Sequence, residues 1–151
     1  MRLLYVELAP GFTRRDIFGR IRTLYKHLSY ENLEIGILTR DSEGFLLERL
    51  KGKQSTVSSS SSLGTLVKEF FYDCKTIHVL REDGLVSKPV EDCLISGVHT
   101  DPPEELEQVL TTLSYTVFKT SLGPMPYLAS SLIPVVYRLK SLEHIFNMFT
   151  V

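Results

Sequence analysis

Two strand-like segments in the second half of the chain each end in a glycine turn. Leu94 and Ile95 stop at Ser96-Gly97, and the β-rich segment from Tyr115 to Ser121 is broken by Leu122-Gly123-Pro124. Glycine adopts backbone conformations that other residues rarely reach, and it lets a ligand approach the main chain. Because ligands of open α/β sheets bind beyond the carboxyl ends of strands, we predict that both turns line one pocket together with the loop from Leu80 to Gly84.

Each glycine turn leads into a helical pattern. Pro102-Pro103-Glu104-Glu105 places proline and acidic residues where a helix begins, and apolar residues recur at helical spacing through Leu113. The apolar pattern returns at Leu128 and predicts a closing helix over Met125 to Phe149, with a kink or break caused by Pro134. This helix carries more apolar surface than one buried side requires, which favours a homodimer interface on it.

The first part of the chain has the pattern of a strand, a helix and a second strand. Leu3 to Leu8 is apolar almost throughout, which predicts a central strand covered on both faces. A helix with N-cap Thr13 follows, and Leu33 to Thr39 is the next strand. This order predicts an α/β fold with a mostly parallel sheet and helices on both faces. We expect residues 1–151 to form a single domain.

The middle of the chain alternates between structured and polar segments. Phe45 to Leu50 fits either a short helix or a short strand, and Leu63 to Tyr72 has a helical apolar stripe. Between them, residues 51–62 include five consecutive serines and predict a flexible surface loop. Thr76 to Leu80 reads as a third strand that ends in the tight polar turn Arg81 to Gly84.

The carboxy-terminal segment resembles the SPOUT class of RNA methyltransferases. The resemblance rests on an apolar strand that ends in glycine, the later sequence Thr120-Ser121-Leu122-Gly123, and the helix of small residues after it. It implies a carboxy-terminal trefoil knot, S-adenosylmethionine bound in the knot region at 76–151, and a dimer. The nearest branch is the pseudouridine-N1 methyltransferases, whose glycine-rich loop contains His and Asp. The matching residues here are Gly97, His99 and Asp101.

The resemblance implies roles for individual residues. Asp101 would orient or deprotonate the acceptor base, with Arg20 as a positioning group, although Asp101 also fits the N-cap of the helix that follows it. The backbone at Gly97 and Gly123 would hold adenine and ribose, and neighbouring apolar side chains would pack on the cofactor. The predicted cofactor-binding residues are Leu80, Ile95, Ser96, Gly97, Val98, Ser121, Leu122, Gly123, Met125 and Tyr127.

The helix predicted after Thr13 carries the basic patch of the protein. Its cations are opposed by Asp16 alone, and a solvated helix face and an RNA-phosphate footprint explain them about equally well. The SPOUT resemblance favours RNA, with rRNA or tRNA as partner. The predicted RNA-binding residues are Arg14, Arg15, Arg22 and Lys26.

Composition limits the classes of function. The net charge of -1 provides no global field for a polyanion, so any nucleic-acid binding depends on a local patch. The chain contains no run of about eighteen apolar residues and its first residues do not resemble a secretory signal, so we expect a cytoplasmic protein that does not enter a membrane. Cys74 and Cys93 lack metal-type spacing, so we expect no metal site. Buried thiols are favoured for them over a disulfide.

Three functions remain open from the sequence. The first is S-adenosylmethionine-dependent methylation of an rRNA or tRNA nucleotide. The second is a non-catalytic SPOUT-like module that binds RNA or protein, favoured by Ser96 and Thr100 at positions where the family pattern has glycines. The third is a nucleotide-binding α/β protein outside the SPOUT class. Binding of the cofactor separates the first function from the other two.

Overall fold

The computed structural model of the protein describes residues 1–9, 15–28, 32–86, 93–98 and 102–121. These residues form seven strands and three helices, which are numbered in chain order. The strands are β1 (Arg2–Glu7), β2 (Glu34–Asp41), β3 (Gly44–Lys51), β4 (Gln54–Ser60), β5 (Thr76–Val86), β6 (Cys93–Gly97) and β7 (Thr116–Ser121). The helices are α1 (Arg15–Leu28), α2 (Leu63–Phe70) and α3 (Glu104–Thr112).

All seven strands belong to one sheet with the order β4-β3-β2-β1-β6-β5-β7. Five neighbouring strands are parallel to one another, namely β2, β1, β6, β5 and β7. Strands β3 and β4 form an antiparallel hairpin that extends the sheet beside β2. The sheet is therefore mostly parallel, as the sequence predicted. Strand β1 lies at the centre, in agreement with its continuous apolar sequence.

The helices cover both faces of the sheet, which confirms the predicted arrangement. On the α1 face, Phe18, Ile21 and Tyr25 pack with apolar side chains such as Leu3 and Ile35 from the strands. On the opposite face, termed the α2/α3 face, both α2 and α3 contribute to a second cluster. Its strand and helix residues include Leu4, Val6, Leu38, Ile77, Val79, Ile95, Leu66, Phe70, Leu106 and Leu110.

The serine-rich segment forms a strand, so the prediction of a loop at residues 51–62 is wrong. Strand β4 pairs with β3 in an unbroken antiparallel register from Lys51↔Gln54 to Phe45↔Ser60. The turn residue Gly52 has φ +58, a conformation that glycine adopts without steric cost. A single edge strand need not bury apolar side chains, because its backbone hydrogen bonds to β3 hold it in the sheet. The same pairing resolves the open assignment of residues 45–50 as a strand.

The predicted turn from Arg81 to Gly84 lies inside a strand. Strand β5 continues to Val86, and its register with β7 shifts because Leu80 and Leu85 both pair with Thr120. Residues 81–84 therefore form a bulge rather than the end of the strand. Polar residues are compatible with a bulge because they are released from regular pairing, which is why the sequence alone resembled a turn.

The two cysteines form a disulfide bond, and the expectation of buried thiols is wrong. Cys74 precedes β5, and Cys93 is the first residue of β6. Parallel neighbouring strands begin at the same edge of a sheet, so these two residues lie close together, with their Cα atoms 6.5 Å apart. Neither sulfur is available as a thiolate metal ligand.

A candidate ligand site at the carboxyl edge of the sheet

The parallel strands end together at one edge of the sheet, here termed the carboxyl edge. Residues at these strand ends include Glu7 of β1, Asp41 of β2, Gly97 of β6 and Ser121 of β7. Open α/β sheets bind their ligands at this kind of edge. The structure thus brings the end of β6 and the end of β7 to the same side of the molecule, as the pocket prediction requires.

The end of β6 is buried and tightly paired. Ile95 and Ser96 are buried, and Gly97 pairs with Val6 of the central strand. The Ser96 hydroxyl donates a hydrogen bond to the Gly97 carbonyl oxygen over 2.8 Å. Val98, which follows the strand, is also buried. Four predicted cofactor-binding residues are consecutive here, and the hydroxyl at position 96 holds the glycine carbonyl in a fixed orientation.

The predicted residue Leu80 belongs to the same apolar cluster as Val98. Both side chains pack on the α1 face, together with Leu94 of β6. Leu80 is therefore an apolar neighbour of the β6 end, although it lies within β5 rather than at the end of a strand.

A histidine next to this region was assigned no role from the sequence. His78 is buried, its Nδ1 lies 2.9 Å from the hydroxyl oxygen of Thr120, and its ring stacks on Phe118 with the centroids 5.6 Å apart. Thr120 is the residue that both ends of the β5 bulge face. These contacts hold the end of β7 against β5 just before Ser121, where the predicted cofactor segment begins.

Arg40 connects three elements at the carboxyl edge. Its Nε donates to the Leu8 carbonyl oxygen over 2.8 Å, and its Nη2 lies 2.7 Å from a carboxylate oxygen of Glu105 on α3. The guanidinium also lies over the ring of Phe45, 5.0 Å from its centroid. The sequence analysis missed this residue because it ended the strand at Thr39, whereas β2 continues to Asp41. The available signal was a cation at the carboxyl end of a buried parallel strand.

A second ion pair joins the β5 bulge to α3. Arg81 Nη1 lies 3.2 Å from Glu107 Oε1, and both side chains are largely shielded from solvent. Helix α3 is thus held to the carboxyl edge by two arginines, through Glu105 and Glu107. The acidic first turn that predicted the helix start also supplies these contacts.

Several predicted site residues lie outside the described residues. They are Arg14, Asp101, Leu122, Gly123, Met125 and Tyr127. The closing helix predicted at Met125 to Phe149 also lies outside them, and of Ser121 only the backbone is described. The alternative role of Asp101 as an N-cap is wrong, because the N-cap of α3 is Pro103. Helical conformation is disfavoured for a residue that precedes proline, which applies to Pro102, and Pro103 is itself extended as the N-cap, so the helix begins at Glu104.

Helix α1 presents part of the predicted basic patch. The side chains of Arg20 and Lys26 are exposed, and the backbone of Arg15 lies in the first turn. Arg22 instead forms a bidentate ion pair with Glu48 of β3. Its Nε lies 2.9 Å from Oε1 and its Nη2 lies 2.6 Å from Oε2. This hydrogen bonding raises the pKa of Arg22 above its usual value. The structure therefore leaves Arg20 and Lys26 accessible, while the charge of Arg22 is compensated.

Within the described ranges there is neither a candidate metal site nor a membrane-spanning helix. No group of three or more His, Cys, Asp or Glu side chains there is arranged to hold a metal ion. None of the helices in the described part of the chain is long and apolar enough to cross a membrane.

The apolar side chains around the end of β6 are buried and lie on both faces of the sheet. Leu80 and Val98 pack on the α1 face, whereas Ile95 packs on the α2/α3 face. The backbone at Gly97 carries no side chain to block a group that approaches the strand end.

The fold is similar to that of a solved protein. Nep1 of Archaeoglobus fulgidus, in a crystal structure bound to S-adenosylhomocysteine, matches with a TM-score of 0.54 at 13% sequence identity. The match covers 85% of this chain and 72% of the Nep1 chain. No family model and no curated protein matches the sequence. The structural likeness shows an α/β fold similar to that of Nep1, which confirms the predicted fold class of a mostly parallel sheet with helices on both faces.

Proposed function

We propose that this protein is an S-adenosylmethionine-dependent RNA methyltransferase of the SPOUT class. The observation that carries the proposal is the agreement between two independent lines. The sequence pattern around Gly97 and Gly123 resembles the cofactor loops of that class. The fold, compared without reference to that pattern, is similar to that of Nep1, which was crystallised with S-adenosylhomocysteine. S-Adenosylhomocysteine is the product that remains when S-adenosylmethionine gives up its methyl group.

The carboxyl edge would hold the cofactor. Ile95, Ser96, Gly97 and Val98 would line it from β6, with Leu80 as an apolar neighbour. The segment Ser121 to Tyr127 would supply the remaining contacts. When bound, the cofactor supplies an electrophilic methyl group on a sulfonium. The protein then has to hold the acceptor in line with that methyl group and exclude water.

Asp101 and Arg20 would act on the acceptor side. A ring nitrogen that carries a proton needs an acceptor for it, and the Asp101 carboxylate follows the Gly97 loop closely in sequence. Arg20 is exposed on α1 and would position the RNA through a phosphate, together with Lys26. Arg14 and Arg15 would extend this footprint, whereas Arg22 would contribute less because Glu48 already pairs with it.

The proposal includes three further features that the resemblance to the SPOUT class implies. They are a trefoil knot in the carboxy-terminal region, a homodimer through the closing helix, and a cytoplasmic rRNA or tRNA nucleotide as substrate. The nearest branch indicates the N1 atom of pseudouridine as the acceptor. Each of these follows from the resemblance and is tested only after cofactor binding is established.

Calorimetric titration with S-adenosylhomocysteine and S-adenosylmethionine is the first test. We expect micromolar binding by the native protein, and a loss of affinity of about tenfold or more in Gly97→Val and in Gly123→Val, which corresponds to about 1.4 kcal/mol. Gly19→Val is the matched control, because a Cβ built at Gly19 in α1 meets no atom within 4 Å. This control should bind like the native protein. A folded native protein that binds neither compound would refute the enzyme proposal.

Transfer of labelled methyl groups to RNA tests the acceptor side. Asp101→Asn should lower the rate of transfer while leaving the affinity for S-adenosylhomocysteine unchanged, because its role is confined to the acceptor base. Arg20→Gln should raise the RNA concentration needed for half-maximal rate, and this effect should shrink at high salt. RNA binding without cofactor binding would instead support the non-catalytic SPOUT-like module.

A further inference from the structure

Strand β4 forms one edge of the sheet, and no strand in the described ranges pairs with its outer side. Its residues Gln54 to Val57 are exposed, and Val57 is 63% exposed, which makes it one of the most exposed large apolar side chains that the structure describes. An edge strand presents backbone N–H and C=O groups that can pair with another strand.

This edge lacks the features by which proteins usually prevent such pairing. From Gln54 to Ser60 it contains no charged residue and no proline. Its register with β3 runs through consecutive pairs without a bulge, so the strand is not bent away from a partner. An uncharged strand of seven residues without a bulge is long enough to form a regular ladder.

The hairpin register determines which backbone groups point outward. Lys51 and Gln54 flank a two-residue turn and form its hydrogen-bonded closing pair. Since hydrogen-bonded and non-hydrogen-bonded pairs alternate along an antiparallel ladder, Gln54, Thr56, Ser58 and Ser60 direct their main-chain groups toward β3. The intervening residues Ser55, Val57 and Ser59 direct theirs outward.

We propose that β4 pairs antiparallel with β4 of a second copy of this chain, around a two-fold axis at Val57. In this register Val57 lies opposite Val57 of the other copy, and Ser55 lies opposite Ser59. The outward backbone N–H and C=O groups of Ser55, Val57 and Ser59 then form hydrogen bonds with the same groups of the second copy. The arrangement uses the whole strand, and it buries the exposed valine against its own copy.

The chemistry of the strand favours a copy of itself over a different partner. Every side chain in the ladder is small or uncharged, so two copies meet without like-charge repulsion, whereas a charged foreign strand would find no counter-charge in β4. The nearby Lys53 would lie opposite Ser61 of the other copy rather than opposite another lysine. The interface does not depend on the proposed function, and it is separate from the dimer proposed for the closing helix.

Cross-linking of single cysteine variants tests the register. Both native cysteines are in the disulfide, so an introduced cysteine is the free thiol. In the proposed dimer, the Cα atoms of residue 57 in the two copies are about 5.5 Å apart, within disulfide range. Val57→Cys should therefore form a covalent dimer under mild oxidation. Ser59→Cys is the matched control, and it should not, because its counterpart lies opposite residue 55.

The weight-average mass in sedimentation gives a second measurement. An interface of one strand pair is smaller than the ~1,600 Å² of a standard stable complex, so the dimer is expected to be weak and the protein is measured at about 0.2 mM. Val57→Lys should lower the weight-average mass relative to the native protein. Thr112→Lys, an equivalent change at an exposed position of α3, should not. Equal masses for the native protein and Val57→Lys, or cross-linking of Ser59→Cys as efficient as that of Val57→Cys, would overturn the proposal. With equal masses, the edge would remain available only to a strand of another protein.

Discussion

The hydroxyl group of Tyr25 connects three parts of the chain that are distant in sequence. It donates a hydrogen bond to the Leu33 carbonyl oxygen over 2.5 Å and accepts one from the Gly52 N–H over 2.8 Å. Helix α1 is thereby fixed to the start of β2 and to the turn of the β3–β4 hairpin. Burial raises the pKa of Tyr25, so the hydroxyl remains protonated and able to donate at neutral pH.

Tyr25→Phe should lower the free energy of unfolding by about 1–3 kcal/mol, because it leaves a carbonyl and an amide without this partner. Urea unfolding measures the change. Tyr115→Phe is the control, since the Tyr115 hydroxyl makes a longer bond of 3.3 Å to the Phe71 carbonyl oxygen at a less buried position. We expect the control to cost about 1 kcal/mol or less. Equal losses in the two variants would show that Tyr25 contributes no more than an ordinary tyrosine.

The sequence identified the face of α1 but not the role of this residue. In the helix predicted after Thr13, Ile21 and Leu24 recur at helical spacing in the sequence, and both contact the core in the structure. Spacing carries no information about Tyr25, because its partners at residues 33 and 52 are determined by the tertiary structure. The same reason explains why the Arg22–Glu48 pair was missed and Arg22 was interpreted as a free cation.

At the scale of elements, the bulge in β5 depends on a close approach of two backbones. A Cβ atom built at Gly84 would lie 2.7 Å from the carbonyl carbon of Thr120 and 2.8 Å from its nitrogen. These are main-chain atoms of β7, so a rotamer change of a side chain cannot relieve the contact. Gly84 therefore permits the bulge to sit against the end of β7.

Gly84→Ala should lower the free energy of unfolding by about 1–3 kcal/mol, the usual cost of inserting a methyl group where there is no room. It should also weaken S-adenosylhomocysteine binding, because β7 leads directly into the proposed cofactor segment at Ser121. Gly19→Ala serves as the control, since α1 has space there and alanine favours the helix by about 0.5–1 kcal/mol. An unfolding midpoint for Gly84→Ala equal to that of the native protein would show that the bulge can move away.

Elements with strong periodicity were predicted from sequence, whereas those defined by a neighbour were not. Helices α2 and α3 and strands β1, β2, β6 and β7 all correspond to predicted segments. Strand β4 was missed because serine has no preference for strands, and its pairing with β3 decides its conformation. Residues 81–84 were interpreted as a turn because polarity and glycine mark turns and bulges alike.

At the scale of the whole molecule, the sheet consists of two groups of strands joined by a short contact. Strands β5 and β6 are registered at only two pairs, His78↔Leu94 and Val79↔Ile95. The other neighbouring strands in the described sheet share five or more pairs each. The proposed site draws on β6 from one group and on β5 and β7 from the other. Its geometry therefore depends on this short contact.

The sequence predicted the fold class but not this arrangement. Alternation of strands and helices indicated a mostly parallel sheet with helices on both faces, and the structure has this architecture. The position of β6 between β1 and β5 follows from contacts between residues far apart in the chain, which local patterns do not encode. The disulfide was missed for the same reason. Only the adjacency of β5 and β6 brings Cys74 and Cys93 together.

The disulfide reinforces the short contact at its amino end, since Cys93 immediately precedes Leu94. Reduction of the native protein should lower the free energy of unfolding by about 3 kcal/mol, the value for a closed loop of this size. Hydrogen exchange of the His78 and Val79 amides should rise more than exchange in the longer β1–β2 ladder, because the disulfide restrains the β5–β6 contact directly.

Cys74→Ala/Cys93→Ala is the control for chemical side effects of the reductant, and its exchange should not respond to reductant. A uniform rise in exchange would mean that the disulfide acts on the unfolded chain alone. In that case the two strand groups would be held together by packing on the α2/α3 face, where Ile77, Val79 and Ile95 share one cluster.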